Sequence, residues 1–159
     1  MDPISVSSGV LTLLAFAFKS TVTLYTTIRS FRSQDRDIRA LRDELSDLGK
    51  VLESLQETAS SYATVDLDGL KLPLLRCGKA CEEYGEIIAR CTKHSDGSRP
   101  SVRDWVTQKY LQGDINQFRE MLAGYKATIN VAVAHANLLV FSLLTRNQRG
   151  KGVRLHGPS

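Results

Sequence analysis

The sequence predicts an all-α fold: a bundle of four long helices at about 4–31, 34–60, 66–94 and 114–145, with a short helix at about 101–112. Three observations predict it. Apolar residues recur at alternating spacings of three and four in three separate segments, which places each set on one stripe of a helix. An uncharged, largely apolar segment opens the chain. No run of alternating β-branched residues is long enough for a strand.

The first helix is MDPISVSSGVLTLLAFAFKS and its continuation. Residues 3–18 carry no charge. Leu11, Leu14, Phe18, Val22 and Tyr25 form one stripe, and Val10, Leu13, Ala17 and Leu24 form a second beside it. A helix apolar on most sides is central to a bundle or in contact with lipid. Val10, Leu11, Leu13, Leu14, Phe16 and Phe18 are therefore the candidate membrane-contacting residues. Ala15-Phe16-Ala17 has the small-x-small form of a signal-peptide cleavage site. A signal peptide also needs a positive start, and Asp2 is the sole charge before Lys19. A constitutive span needs about 20 mostly apolar residues, whereas Lys19 and several hydroxyls interrupt this one. The expectation is a helix packed in the bundle at rest and available to lipid on release.

The second helix is the clearest. In DIRALRDELSDLGKVLESL the stripe is Ile38, Leu41, Leu45, Leu48, Leu52 and Leu55. Gly49 lies mid-helix and costs about 1 kcal/mol against alanine, which the stripe outweighs. The third helix carries Leu74, Cys77, Cys81, Tyr84, Ile88 and Cys91. Pro73 either occupies its first turn or kinks a helix that begins near Asp66. HSDGSRP stops it. Ser101 and Asp104 suggest a capping box for the short helix that contains Trp105, and Gly113 ends that helix. Asp114 is a natural N-cap for the last helix, whose stripe runs Ile115, Phe118, Leu122, Tyr125, Ile129, Ala132, Ala136, Leu139 and Leu143. The expected core is thus Leu41, Leu45, Leu48, Leu52, Cys77, Cys81, Tyr84, Ile88, Trp105, Phe118, Leu122, Tyr125 and Ile129. A parallel coiled-coil dimer would also bury such stripes, but short loops favour an antiparallel bundle within one chain.

Composition bounds the function. The chain has 159 residues, 42% hydrophobic and 24% charged, enough for one domain with a proper core. The net charge is +4, and Arg146, Arg149, Lys151 and Arg154 account for all of it. The folded part therefore lacks the basic excess of a nucleic-acid binder. From about Arg146 the apolar period stops, and Gly150, Gly152, Gly157 and Pro158 predict a disordered basic tail. The domain is expected over 1–138, with the end of the last helix and the tail over 139–159.

No catalytic motif is present. Three cysteines at helical spacing are no disulfide framework, and they point to a reducing compartment. Cys77, Cys81, Cys91 and His94 invite a zinc reading. On one straight helix, however, Cys81 and Cys91 lie about 15 Å apart, too far to share an ion. They read as small core hydrophobes. His94, His135 and His156 are scattered. Glu82, Glu83 and Glu86 read as a solvated helix face, and phosphate-loop, dinucleotide and HExxH patterns are missing. No cofactor, metal, nucleic acid or small-molecule substrate is expected, and no enzymatic activity.

Several stretches carry a resemblance: MDPISV opening an uncharged helix, the heptad of the second helix, LKLPLLRCGKACEEY, and RDWVTQKYLQGDINQFREMLAGYKATINVAVAHANL. Over roughly residues 1–138 the chain resembles the HeLo-like N-terminal domain of fungal STAND proteins, also named for the N-terminal domain of the azaphilone pigment biosynthesis cluster protein L. The resemblance implies a helical bundle at the N-terminus of larger proteins. In some relatives it implies a signalling or cell-death execution module whose first helix is released to membrane. It also implies protein partners or self-association, and a cytoplasmic location with membrane association on activation. It supplies no catalytic residues. The alternatives are a structural or regulatory protein-interaction domain that never touches lipid, and an accessory protein of secondary metabolism. Relatives usually continue past the last helix into a nucleotide-binding, repeat or long helical region. Here LLVFSLLTRNQRGKGVRLHGPS follows instead, so that continuation is expected to be missing.

Overall fold

The structure is a computed structural model, and it describes residues 3–31, 36–61, 66–92 and 109–154. Within them lie four α-helices, one short 3-10 turn and no strand. The helices are α1 (Pro3–Arg29), α2 (Arg36–Ser61), α3 (Lys71–Thr92) and α4 (Lys109–Arg154), with the 3-10 turn at Asp68–Leu70. The fold is the expected all-helical bundle. Trp105 lies outside the described residues, as does most of the expected short helix.

α1 tolerates its many threonines because their hydroxyls turn back on the helix. Thr21 Oγ1 donates to the Ala17 carbonyl at 2.7 Å, and Thr26 and Thr27 do the same to Val22 and Thr23. The hydroxyls are thereby satisfied without a partner outside the helix. α1 closes with Ser30 Oγ donating to the Thr27 carbonyl at 2.6 Å, and with Arg29 in its last turn, the end that favours a cation. In α2 the whole stripe from Ile38 to Leu55 is buried, and Thr58 extends it.

α3 is entered through the 3-10 turn. Asp66 Oδ1 accepts from the Asp68 amide at 3.0 Å, and the Leu70 amide donates to the Leu67 carbonyl. Pro73 falls in the first turn of α3, where its missing N–H leaves nothing unmade. That settles the two openings left by the sequence: the helix starts at Lys71 and carries no proline kink.

The extent of α4 differs from expectation at both ends. A break at Gly113 separates two helices in the sequence reading, whereas one helix runs unbroken from Lys109. A glycine costs about 1 kcal/mol in a helix but does not end one without a proline or a left-handed cap. The expected end near residue 145 and the disordered tail from Arg146 are also corrected, because α4 continues to Arg154. Arg, Gln and Lys are good helix formers, and cations at a helix C-terminus oppose its negative pole.

Packing joins α1 to both α2 and α3, and α2 to α4. α3 meets α4 through Tyr84 and Phe118, stacked with centroids 4.1 Å apart. α1 and α3 run parallel. Gly9 faces Lys71, Phe16 lies on Gly78, Thr21 meets Cys81 and Leu24 meets Gly85, a near-constant register. A parallel first and third helix is what an up-and-down bundle also has; here the two pack directly against each other. Gly78 and Gly85 let α1 come close to α3.

Candidate functional site

The six residues of α1 flagged for lipid do not share an exposed face. Val10 and Leu14 are buried. Leu13, Phe16 and Phe18 are half-buried, and Leu11 alone is exposed. Phe16 is held where α3 has no side chain, its ring seated over Gly78. Lipid would meet most of these residues only after α1 left the bundle.

Of the expected core, Leu41, Leu45, Leu48, Leu52, Cys77, Cys81, Tyr84, Ile88, Phe118, Leu122 and Ile129 are buried, and Tyr125 is half-buried. Among the described residues the buried polar ones are Thr21 and Thr58. Cys77 and Cys81 are free thiols, and the Thr21 hydroxyl lies 3.8 Å from Cys81 Sγ. The hydrogen bond to Cys81, reinforced by burial, pushes the Cys77 thiol far above its ordinary range. Cys77, held protonated in an apolar core, is a poor nucleophile and a poor metal ligand, while the hydrogen bond from Cys77 shifts the Cys81 thiol the other way, below its ordinary value. Among the described residues no group of three or more His, Cys, Asp and Glu is gathered closely enough to hold a metal.

Polar groups converge in a cleft of about 340 Å³ between α2 and α4 lined by Glu44, Asn116, Arg119, Glu120 and Ala123. Lys126 Nζ reaches Glu44 Oε1 at 2.8 Å and Asp47 Oδ2 at 4.0 Å, tying α4 to α2. Arg119 donates to Asn116 Oδ1 at 3.3 Å. The charges are of both signs: among the described residues Lys126 offsets Glu44, while Arg119 bonds only the neutral Asn116 and its buried Nε has no hydrogen-bond partner.

The feature that sequence reasoning missed lies on the distal half of α4. Its 46 residues extend about 69 Å, whereas the 26 of α2 extend about 39 Å. The bundle cannot cover all of α4. Burial ends at Ala136. Leu139 and Leu143, expected to continue the core stripe, are 44% and 56% exposed, which corrects that part of the stripe. Val131, Leu138, Phe141 and Leu144 are between 58% and 70% exposed. Among the described residues two helices are long and apolar enough to cross a membrane, but they differ in cover. The apolar window in Gly9–Arg29 is 28% buried, that in Ile115–Lys151 only 11%. The signal was available in the sequence. Residues 127–145 form an uncharged run bounded by Lys126 and Arg146, and residues 138–144 are apolar on every side of the helix.

An all-helical domain with an apolar interior and one projecting apolar helix is a class of protein rather than an identity. The family model of the pigment biosynthesis cluster protein PigL N-terminal domain matches residues 1–149, and the chain belongs to that family. No curated protein and no solved structure matches it.

Proposed function

We propose that the chain is a non-enzymatic helical interaction domain, a docking module of the signalling kind that its resemblance to HeLo-like domains implies. The observation that carries this reading is the exposed apolar half of α4. Soluble monomers rarely leave an apolar surface of this extent without a partner. Among the described residues the interior is packed by thiols, two threonines, aromatic rings and aliphatic side chains, the content of a structural bundle. The test is diffusion of a fluorescent fusion of the whole chain in fungal cells. Wild type should be retained in a slow or immobile pool, and Phe141→Asp with Leu144→Asp should diffuse freely. A wild-type fusion that moves as a free monomer overturns the reading.

A second reading makes α1 the active element, packed at rest in the cytoplasm and reaching the membrane on a trigger, as in cell-death execution. Its uncharged run and the exposed Leu11 and Val22 favour this. The cost opposes it. Release uncovers Leu14, Leu24 and Ile28, each 2% exposed or less, at about 1.5–3 kcal/mol apiece. The three together approach the whole stability of a typical domain, about 5–15 kcal/mol. Fusing residues 1–28 to a soluble reporter and sedimenting it with liposomes tests this reading. A reporter that stays in solution leaves α1 a structural helix.

A further inference from the structure

We infer that the partner of the distal half of α4 is an anionic lipid bilayer, which takes residues 138–144 into its hydrocarbon and holds Arg146, Arg149 and Lys151 in the adjoining headgroup layer. The inference rests on the interaction reading above and names the partner.

Three observations favour lipid over a second protein surface. The first is the distribution of apolar side chains. Successive residues turn by about 100° around a helix. Leu138, Leu139, Val140, Phe141, Leu143 and Leu144 therefore face all directions. A partner helix or groove covers one stripe, whereas lipid covers every side. The second is length. Residues 137–145, the uncharged stretch beyond the last buried residue, extend about 14 Å as a helix, enough to pass the headgroups into one leaflet's hydrocarbon. Residues beyond Ala136 already stand clear of the bundle, so engagement begins without breaking the core.

The third is charge. No Asp or Glu follows Glu120, and four cations cluster between residues 146 and 154, directly after the apolar run. That is the complement of a phosphate-bearing surface. A second copy packed in parallel would set these cations against their counterparts. Packed antiparallel, it would offer them no carboxylate on the same stretch of α4.

The test is flotation of the whole chain with vesicles of phosphatidylcholine alone or with phosphatidylserine. Wild type should float with both lipids and more strongly with phosphatidylserine. Phe141→Asp with Leu144→Asp should lower the bound fraction at least about tenfold. Changing all four distal cations to glutamine should remove the phosphatidylserine preference. Leu11→Asp with Val22→Asp, on the exposed flank of α1, should float as wild type does. Each substituted apolar side chain lies at the surface, and matching melting curves check that the bundle survives. Wild-type protein that stays in solution overturns the inference, and so does loss of flotation in the α1 variant in place of the α4 variant. A stable dimer that fails to float also overturns it. Slow diffusion in cells without flotation would leave the interaction reading standing and replace the bilayer by a protein.

Discussion

Gly78 tests the packing of α1 on α3, and Gly49 supplies its internal control. Both glycines lie inside helices. A methyl at Gly49 has nothing within 4 Å, whereas a methyl at Gly78 would overlap the Phe16 ring. Gly→Ala in a helix interior gains about 0.5–1 kcal/mol from the backbone alone. Gly49→Ala should therefore be stabilised by that amount. Gly78→Ala gains the same term but must displace the ring, and overpacking of a filled site costs about 1–3 kcal/mol. The net expectation for Gly78→Ala is between no change and a loss of about 2 kcal/mol, with the two variants separated by about 1–3 kcal/mol. For a chain of this size each kcal/mol shifts Tm by about 2–4 °C. Thermal and urea melts followed by circular dichroism read the difference. The cycle with Phe16→Ala identifies the cause, since removing the ring should return Gly78→Ala to the behaviour of Gly49→Ala. Equal stabilisation of the two glycine variants would refute the close α1–α3 approach, and so would a penalty that survives Phe16→Ala.

Other outcomes follow from the same structure. Leu45→Asp or Leu122→Asp should unfold the bundle, because an unpaired charge buried in its core costs several kcal/mol, whereas Leu144→Asp should leave the melt unchanged. Stability should fall as the solution becomes alkaline. The raised Cys77 thiol keeps its proton in the folded state, while the unfolded thiol loses it above about pH 8.5. The unfolded state then binds fewer protons than the folded state, so the loss grows by about 1.4 kcal/mol per pH unit above that point. Titration of the melting curve should show this slope flattened in Cys77→Ala. Replacing all three cysteines with alanine should lower stability, and chelator treatment of wild type should leave Tm unmoved; stoichiometric zinc lost with the cysteines would contradict the core reading. Truncation after Thr145 should not change the melt, since the residues from Arg146 to Lys151 are solvent-exposed except for the helix they form.

Much of this protein is local and therefore legible in its sequence. The stripes of α2 and α3 repeat every three or four residues, and nothing in the tertiary structure moves Leu45 or Cys81 off the face that its helical phase assigns. The same periodicity misleads in α4. Leu139 and Leu143 keep the phase of Ile115 and Ile129, yet phase says only which face a residue occupies, not whether a neighbour is present to cover it. Coverage is decided by the lengths of α2 and α3, which end long before α4 does. The parallel pairing of α1 with α3 is decided in the same way. It depends on an absent side chain at Gly78 meeting a ring at Phe16, residues far apart in the chain. What the sequence determined by itself was the set of helices and their apolar faces, because hydrogen bonds and side-chain phase within a helix reach only four residues. Which faces meet, and which apolar length is left to find a partner, required the tertiary structure, because burial is a property of neighbours brought together from elsewhere in the chain.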